Sequence, residues 1–109
     1  MSAYLLVRAE VEENSREGFD NWYQNEHLPS ALKEFKDSIG AWRAWSDVED
    51  GIHLAFYEFG DLESAHKLLN SELMKEFIKE FDRHWLGKVI RTRDAVSYTH
   101  LTLPTILLV

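Results

Sequence analysis

Apolar and polar residues along this chain follow different periods in successive segments, and each change of period marks an element. From Tyr4 to Val11 they alternate, with Leu5, Val7, Ala9 and Val11 on one face, which predicts a strand. Glu12 to Ser15 reads as a turn, and Asn14 followed three residues later by Glu17 has the form of a capping box opening a helix. Phe19, Trp22, Tyr23 and Glu26 then fall at i, i+3, i+4 and i+7, so an α-helix carries them on one stripe, with Glu26 turned toward the interior. Pro29 disfavours helical dihedrals at Leu28, which predicts a break near His27 and Leu28 before a further turn or two through Ala31, Leu32 and Phe35.

Beyond Gly40, Ala41 to Ser46 reads as a second strand and Asp47 to Gly51 as a hairpin connection, with Asp-Gly as its turn signal. Ile52 to Phe59 is the third strand. Asp61 is placed to cap a helix that Asn70 and Ser71 interrupt before Leu73, Phe77, Ile78, Phe81 and Trp85 continue the apolar stripe to Gly87. Lys88 to Thr92 begins a fourth strand. The order β-α-β-β-α-β is that of a ferredoxin-like α+β domain, an antiparallel sheet with two helices on one face. The third strand is apolar on both faces, with Ile52, Leu54 and Phe56 pointing one way and Ala55, Tyr57 and Phe59 the other. Two helices cover only one face, so a second copy of the chain is the expected cover for the other, giving a homodimer through the sheet.

Composition narrows the partners. The chain has 109 residues, 45% hydrophobic and 28% charged, which suits one globular domain. With 19 acidic against 12 basic residues the net charge is −7, so neither nucleic acid nor an anionic membrane surface is an expected partner. There is no cysteine, which excludes disulfides, thiolate metal sites and a cysteine nucleophile. The N-terminus lacks the pattern of a signal peptide and no apolar run reaches the roughly 20 residues of a membrane span, so a cytoplasmic location is expected. Every Lys, Arg, Asp and Glu lies at or before Asp94. Residues Val96 to Thr105 resemble the in-frame translation of a transposase-type sequencing adapter, so the expected domain is 1–94, with 95–109 a non-native tail that removes Tyr98 and His100 from consideration.

One segment carries a family resemblance. Trp22-Tyr23-Gln24-Asn25-Glu26-His27-Leu28-Pro29 resembles the W-Y-x-x-E-H-L-P stretch of many dimeric α/β-barrel proteins, EthD-like ones included. Ile39 to Trp45 resembles their glycine-led second strand, and Glu58 to Ala65 their strand-to-helix turn. The resemblance runs from about Ala3 to Arg93 and implies the ferredoxin-like fold. It also implies a repertoire: cofactor-free monooxygenases of antibiotic biosynthesis, haem-degrading enzymes and small-molecule cyclases.

Among residues able to carry chemistry, His27 titrates near neutrality and is the candidate acid/base, or else a cap on the last helical carbonyls. Tyr23, four residues earlier, is placed to orient a substrate oxygen or to tie the helix end to the sheet. Glu26 is a candidate buried carboxylate or the partner of Arg43 or Arg91. Trp22, Trp42, Trp45, Tyr57 and Trp85 are candidate walls for a flat ligand or candidate core. His53, His66 and His84 lack metal-ligand spacing, and Glu80 with His84 reads as a solvated helix pair. No phosphate loop, nucleophile elbow or dinucleotide fingerprint occurs. The expectation is a small-molecule-binding protein, with cofactor-free oxygenation or cyclisation of an aromatic or polyketide-like substrate as its chemistry. A non-catalytic binding domain and a haem-binding monooxygenase are the alternatives.

Overall fold

The computed structural model describes residues 2–97. Four strands, β1 (Ala3–Val11), β2 (Ser38–Trp45), β3 (Ile52–Phe59) and β4 (Val89–Ser97), form one antiparallel sheet in the order β2-β3-β1-β4. β3 lies between β2 and β1, the split βαβ arrangement of a ferredoxin-like fold. Alternation decides the faces. Leu5, Ala9, His53, Ala55, Tyr57 and Phe59 are buried beneath the helices, whereas Leu6, Leu54 and Phe56 on the opposite face are only half-buried. That opposite face also exposes Trp42 to 47% and Ile90 to 70%.

Local chemistry sets the turns. Gly51 ends the β2–β3 connection at φ +77°, and a Cβ there would meet the guanidinium of Arg16. Asp61 caps α3 (Leu62–Leu69) by accepting from Ser64 N–H at 2.7 Å, and Ser71 caps α4 (Glu72–Trp85) by accepting from Met74 N–H at 3.1 Å. Gly87, at φ +83°, turns the chain out of α4. The expected capping box at Asn14 is not formed. A short 3₁₀ turn (Glu13–Ser15) precedes α1 (Arg16–Trp22), and no side chain caps that helix.

The expected break at Pro29 does not occur either. α1 runs through a π-helical turn (Tyr23–His27) directly into α2 (Leu28–Glu34), and Leu28 N–H donates to Tyr23 C=O across five residues. Pro29 follows directly on the wider π-helical turn, and the helix continues past it without the bond that a proline cannot donate. The wider turn carries one extra residue, so every later side chain is displaced by one position around the axis. His27 therefore takes the inward place that strict α spacing gives to Glu26, and Glu26 is exposed.

β4 continues past Asp94, with Leu5 opposite Ala95 and Ala3 opposite Ser97. The remainder of the uncharged tail, with Tyr98 and His100, lies outside the described residues. Among the described residues no helix is long and apolar enough to cross a membrane.

Candidate functional site

Between the helices and the sheet lies a layer of aromatic rings centred on Phe19, whose neighbours within 5.1–6.2 Å include Trp22, Tyr23, Trp45, His53, Phe81 and Trp85. At the β2 end this layer holds a closed polar cluster. Arg43 reaches across from the sheet to Asp20, donates from Nη1 to Gln24 Oε1 at 3.1 Å and donates from Nε to His53 Nε2 at 3.0 Å. Trp45 Nε1 donates to the same Asp20 carboxylate at 2.8 Å. That bond first, and Arg43 second, hold the Asp20 carboxyl below its usual range. Burial and the adjacent Arg43 pull His53 down to about 3, so it stays neutral and accepts from arginine through Nε2.

At the β4 end the layer opens into a cavity lined by Tyr23, His27, Tyr57, Phe77, Arg91 and Arg93 among apolar neighbours. Tyr23 from the π-turn and Tyr57 from β3 share a 2.6 Å hydrogen bond between their hydroxyls. Burial pushes Tyr23 up to about 12 and Tyr57 well above the ordinary phenol value, so both remain protonated. One hydroxyl donates within the pair, so the other keeps a proton to offer, and both tyrosines line the cavity.

His27 stacks on Trp22 at 4.6 Å and 22° and lies edge-on to Tyr23 and Phe77. Its ring nitrogens have no hydrogen-bond partner among the described residues. Burial first, then Arg91 and Arg93, pull it down to about 4. Arg91 is tied down: its guanidinium lies 3.7 Å over the Phe81 ring and donates to Asp82 Oδ1 at 3.1 Å. Arg93, two residues on and on the same face, makes no hydrogen bond or ion pair among the described residues. Burial, then Arg91, lowers it to about 10. The cavity thus presents an unmatched guanidinium, a neutral imidazole and a phenol.

The expected site residues part company here. His27, Tyr23 and Tyr57 come together. Trp22 reaches the outer side of His27, in a groove it shares with Glu26. Glu26 makes no bridge to Arg43 or Arg91, which are held by Asp20 and Asp82. Trp45 is committed to Asp20, and Trp85 packs against Phe19 and Trp22 with its indole N–H buried and unpaired among the described residues. Trp42 is on the far face of the sheet, against Phe56 and Tyr4, because its strand position alternates with those of Ala41 and Arg43. Sequence reasoning missed Arg93 altogether, and it took Arg91 only as a partner for Glu26. The available signal was Arg91 and Arg93 at i and i+2 behind Val89, two bases on the buried face of a strand. Glu80 and His84 do pair on the surface of α4, at 3.2 Å. Among the described residues no three His, Asp or Glu side chains converge as a metal site.

Comparison with known proteins bears on the fold. The sequence matches no protein-family profile and no curated protein. Solved structures do match. An EthD (ethyl tert-butyl ether D) family protein from Bacillus halodurans aligns with a TM-score of 0.69 at 17% identity, over 91% of this chain and 100% of that one. The chain has its fold. SnoaB, a cofactor-independent oxygenase from Streptomyces nogalater, aligns with a TM-score of 0.64 at 6% identity, over 90% of this chain and 93% of that one. An antibiotic biosynthesis monooxygenase aligns at 0.61 and 7% identity, over 89% and 98%. The ferredoxin-like architecture expected from the order of elements is therefore the one these proteins share.

Proposed function

We propose that this protein binds the acidic end of a flat small molecule in the cavity at the β4 end and moves a proton between that molecule and His27, with no bound cofactor. The observation that carries this reading is the convergence of three unmatched groups, His27, Arg93 and one Tyr23/Tyr57 hydroxyl proton, on one cavity. Buried polar groups are normally satisfied, so a set left open around a void is matched to a ligand.

The chemistry follows from charge. His27 accepts the proton of an acidic C–H or O–H group, and the electron pair left behind moves onto a substrate oxygen as enolate or phenolate. Arg93 and the free phenol proton hold that oxygen. In the empty cavity burial first, then Arg91 and Arg93, depress His27; an anion seated on Arg93 cancels part of the arginines' field and raises its basicity. From such a carbanion two routes open. Attack on a second carbonyl of the same molecule cyclises it without net oxidation, and reaction with dioxygen, the oxidant, oxygenates it. The similarity in fold to a cofactor-independent oxygenase supports the second.

The test is exchange of C–H for deuterium in heavy water, followed by NMR, across flat phenols and 1,3-dicarbonyl compounds. Exchange accelerated by the protein, lost in His27→Ala and reduced in Arg93→Met, is the expected result. Exchange unaffected by His27→Ala would remove that residue from the chemistry.

A second reading, a binding domain without turnover, draws support from one observation: at about 4, His27 is a weak base in the empty protein. It predicts ligand binding that depends on Arg93 with no exchange. In either case a second copy is proposed to cover the outer sheet face, where Trp42, Phe56 and Leu6 line up across three strands. Trp42→Glu should convert a dimer to monomer in analytical ultracentrifugation; a monomeric wild type would refute the pairing.

A further inference from the structure

The cavity has a volume of about 30 Å³. That is room for about two waters or one carboxylate group, and far below the roughly 300 Å³ of a small-molecule site. Immediately outside it, between the π-turn and α4, a groove of about 380 Å³ is lined by Trp22, Glu26, Ser30, Glu76 and Glu80. Cavity and groove share two residues, His27 and Phe77. The Phe77 ring lies 5.6 Å from the His27 ring and 4.9 Å from that of Phe35. It is half-buried and, being apolar, is held by packing alone.

We propose that groove and cavity are two limbs of one ligand site, parted by the Phe77 side chain, and that the ligand is an elongated flat molecule with an acidic inner end and a neutral or basic outer end. This rests on the reading of the cavity as an anion site. Three observations carry it. The inner limb alone is too small, and the outer limb supplies the missing volume in direct contact with His27. Trp22, stacked on His27, gives the groove an aromatic wall suited to a flat body. The two ends have opposite charge: Arg91 and Arg93 inside, Glu26, Glu76 and Glu80 outside. Glu80 is paired with Arg83 and lies 3.2 Å from His84, whereas Glu26 and Glu76 carry no salt bridge among the described residues. An acidic group is therefore drawn inward and repelled from the mouth, which fixes the direction of binding. Phe77 at the junction becomes a determinant of ligand length.

Binding followed by the NMR signal of the His27 ring tests this at pH 7, with acetate for the inner limb and a para-linked aminobiphenylcarboxylate for both. Ser30 is exposed and lines only the groove, so Ser30→Trp fills the outer limb without touching the cavity. It should weaken the aminobiphenylcarboxylate by about tenfold or more, equivalent to ~1.4 kcal/mol, and leave acetate within about twofold. The matching biphenyl dicarboxylate should bind more weakly than the amino acid, and Phe77→Ala should speed its association. An aminobiphenylcarboxylate that ignores Ser30→Trp, that binds no better than the dicarboxylate, or that does not bind the wild type overturns the proposal. Acetate binding that survives Arg93→Met overturns the anion site instead, and the two failures are read from different probes.

Discussion

The two ends of the layer between helices and sheet are built from the same residue types and solve opposite problems. At the β2 end Arg43, His53, Asp20, Gln24 and Trp45 satisfy one another. At the β4 end Arg93 and His27 line a cavity with no hydrogen bond or salt bridge among the described residues, beside an Arg91 that has both. Both ends hold a neutral, depressed histidine beside arginine. The difference lies in matching: where each donor meets an acceptor the cluster serves stability, and where one is left over it is available to a ligand.

Acid titration is expected to move stability most. Both histidines have folded values below the ordinary 6.5, at about 4 for His27 and about 3 for His53. The unfolded chain therefore binds protons first as pH falls, and stability present above pH 6.5 is lost on the way down, by about 1.4 kcal/mol per pH unit for each histidine. Asp20 adds a later loss, below its ordinary value of 3.8, because its folded value is lowered. Urea unfolding between pH 7 and pH 4 measures the first window, and a flat profile there would dissolve the similarity between the two ends.

Arg43→Met comes next. It strips Asp20 and His53 of their shared donor; the buried His53 loses its hydrogen bond while the half-exposed Asp20 is screened by water, so destabilisation by about 2 kcal/mol is expected. Tyr57→Phe breaks the hydroxyl pair that joins the π-turn to β3 and should cost about 1–2 kcal/mol. Arg93→Met should be the mildest, within about 0.5 kcal/mol of wild type or slightly stabilising, since it relieves a desolvated charge without orphaning a partner. Thermal or urea unfolding of the three variants orders them. Arg93→Met as damaging as Arg43→Met would mean that the β4 end is structural too.

Much of this contrast was hidden from the sequence for a definable reason. Period-two and period-3.6 patterns expose strands and helices, and turn residues punctuate them, so β3, the Asp61 cap, the interruption at Asn70 and Ser71 and the Gly51 and Gly87 turns were all legible. A π-turn leaves no such trace. One added residue exchanged the places of Glu26 and His27, and it let the helix pass Pro29 where the dihedral preference of Leu28 argued for a stop. Tyr23, His27 and Tyr57 were legible as candidates because their chemistry is rare and their spacing local. Trp42, Trp45 and Trp85 were not separable from them, because an aromatic that packs and one that lines a void obey the same periodicity. Arg93 was missed because whether a charge is matched depends on residues far away in sequence, here the commitment of Asp82 to Arg91.

If the β4-end cavity is an anion site, its occupancy tunes His27. The most direct measurement is an NMR titration of the His27 ring, alone and with saturating acetate, in wild type and Arg93→Met. A value near 4 is expected in the empty protein, with a clear rise on adding acetate and no acetate-dependent rise once Arg93 is removed. A His27 that titrates at its ordinary 6.5, or one whose value acetate leaves unmoved, would contradict it.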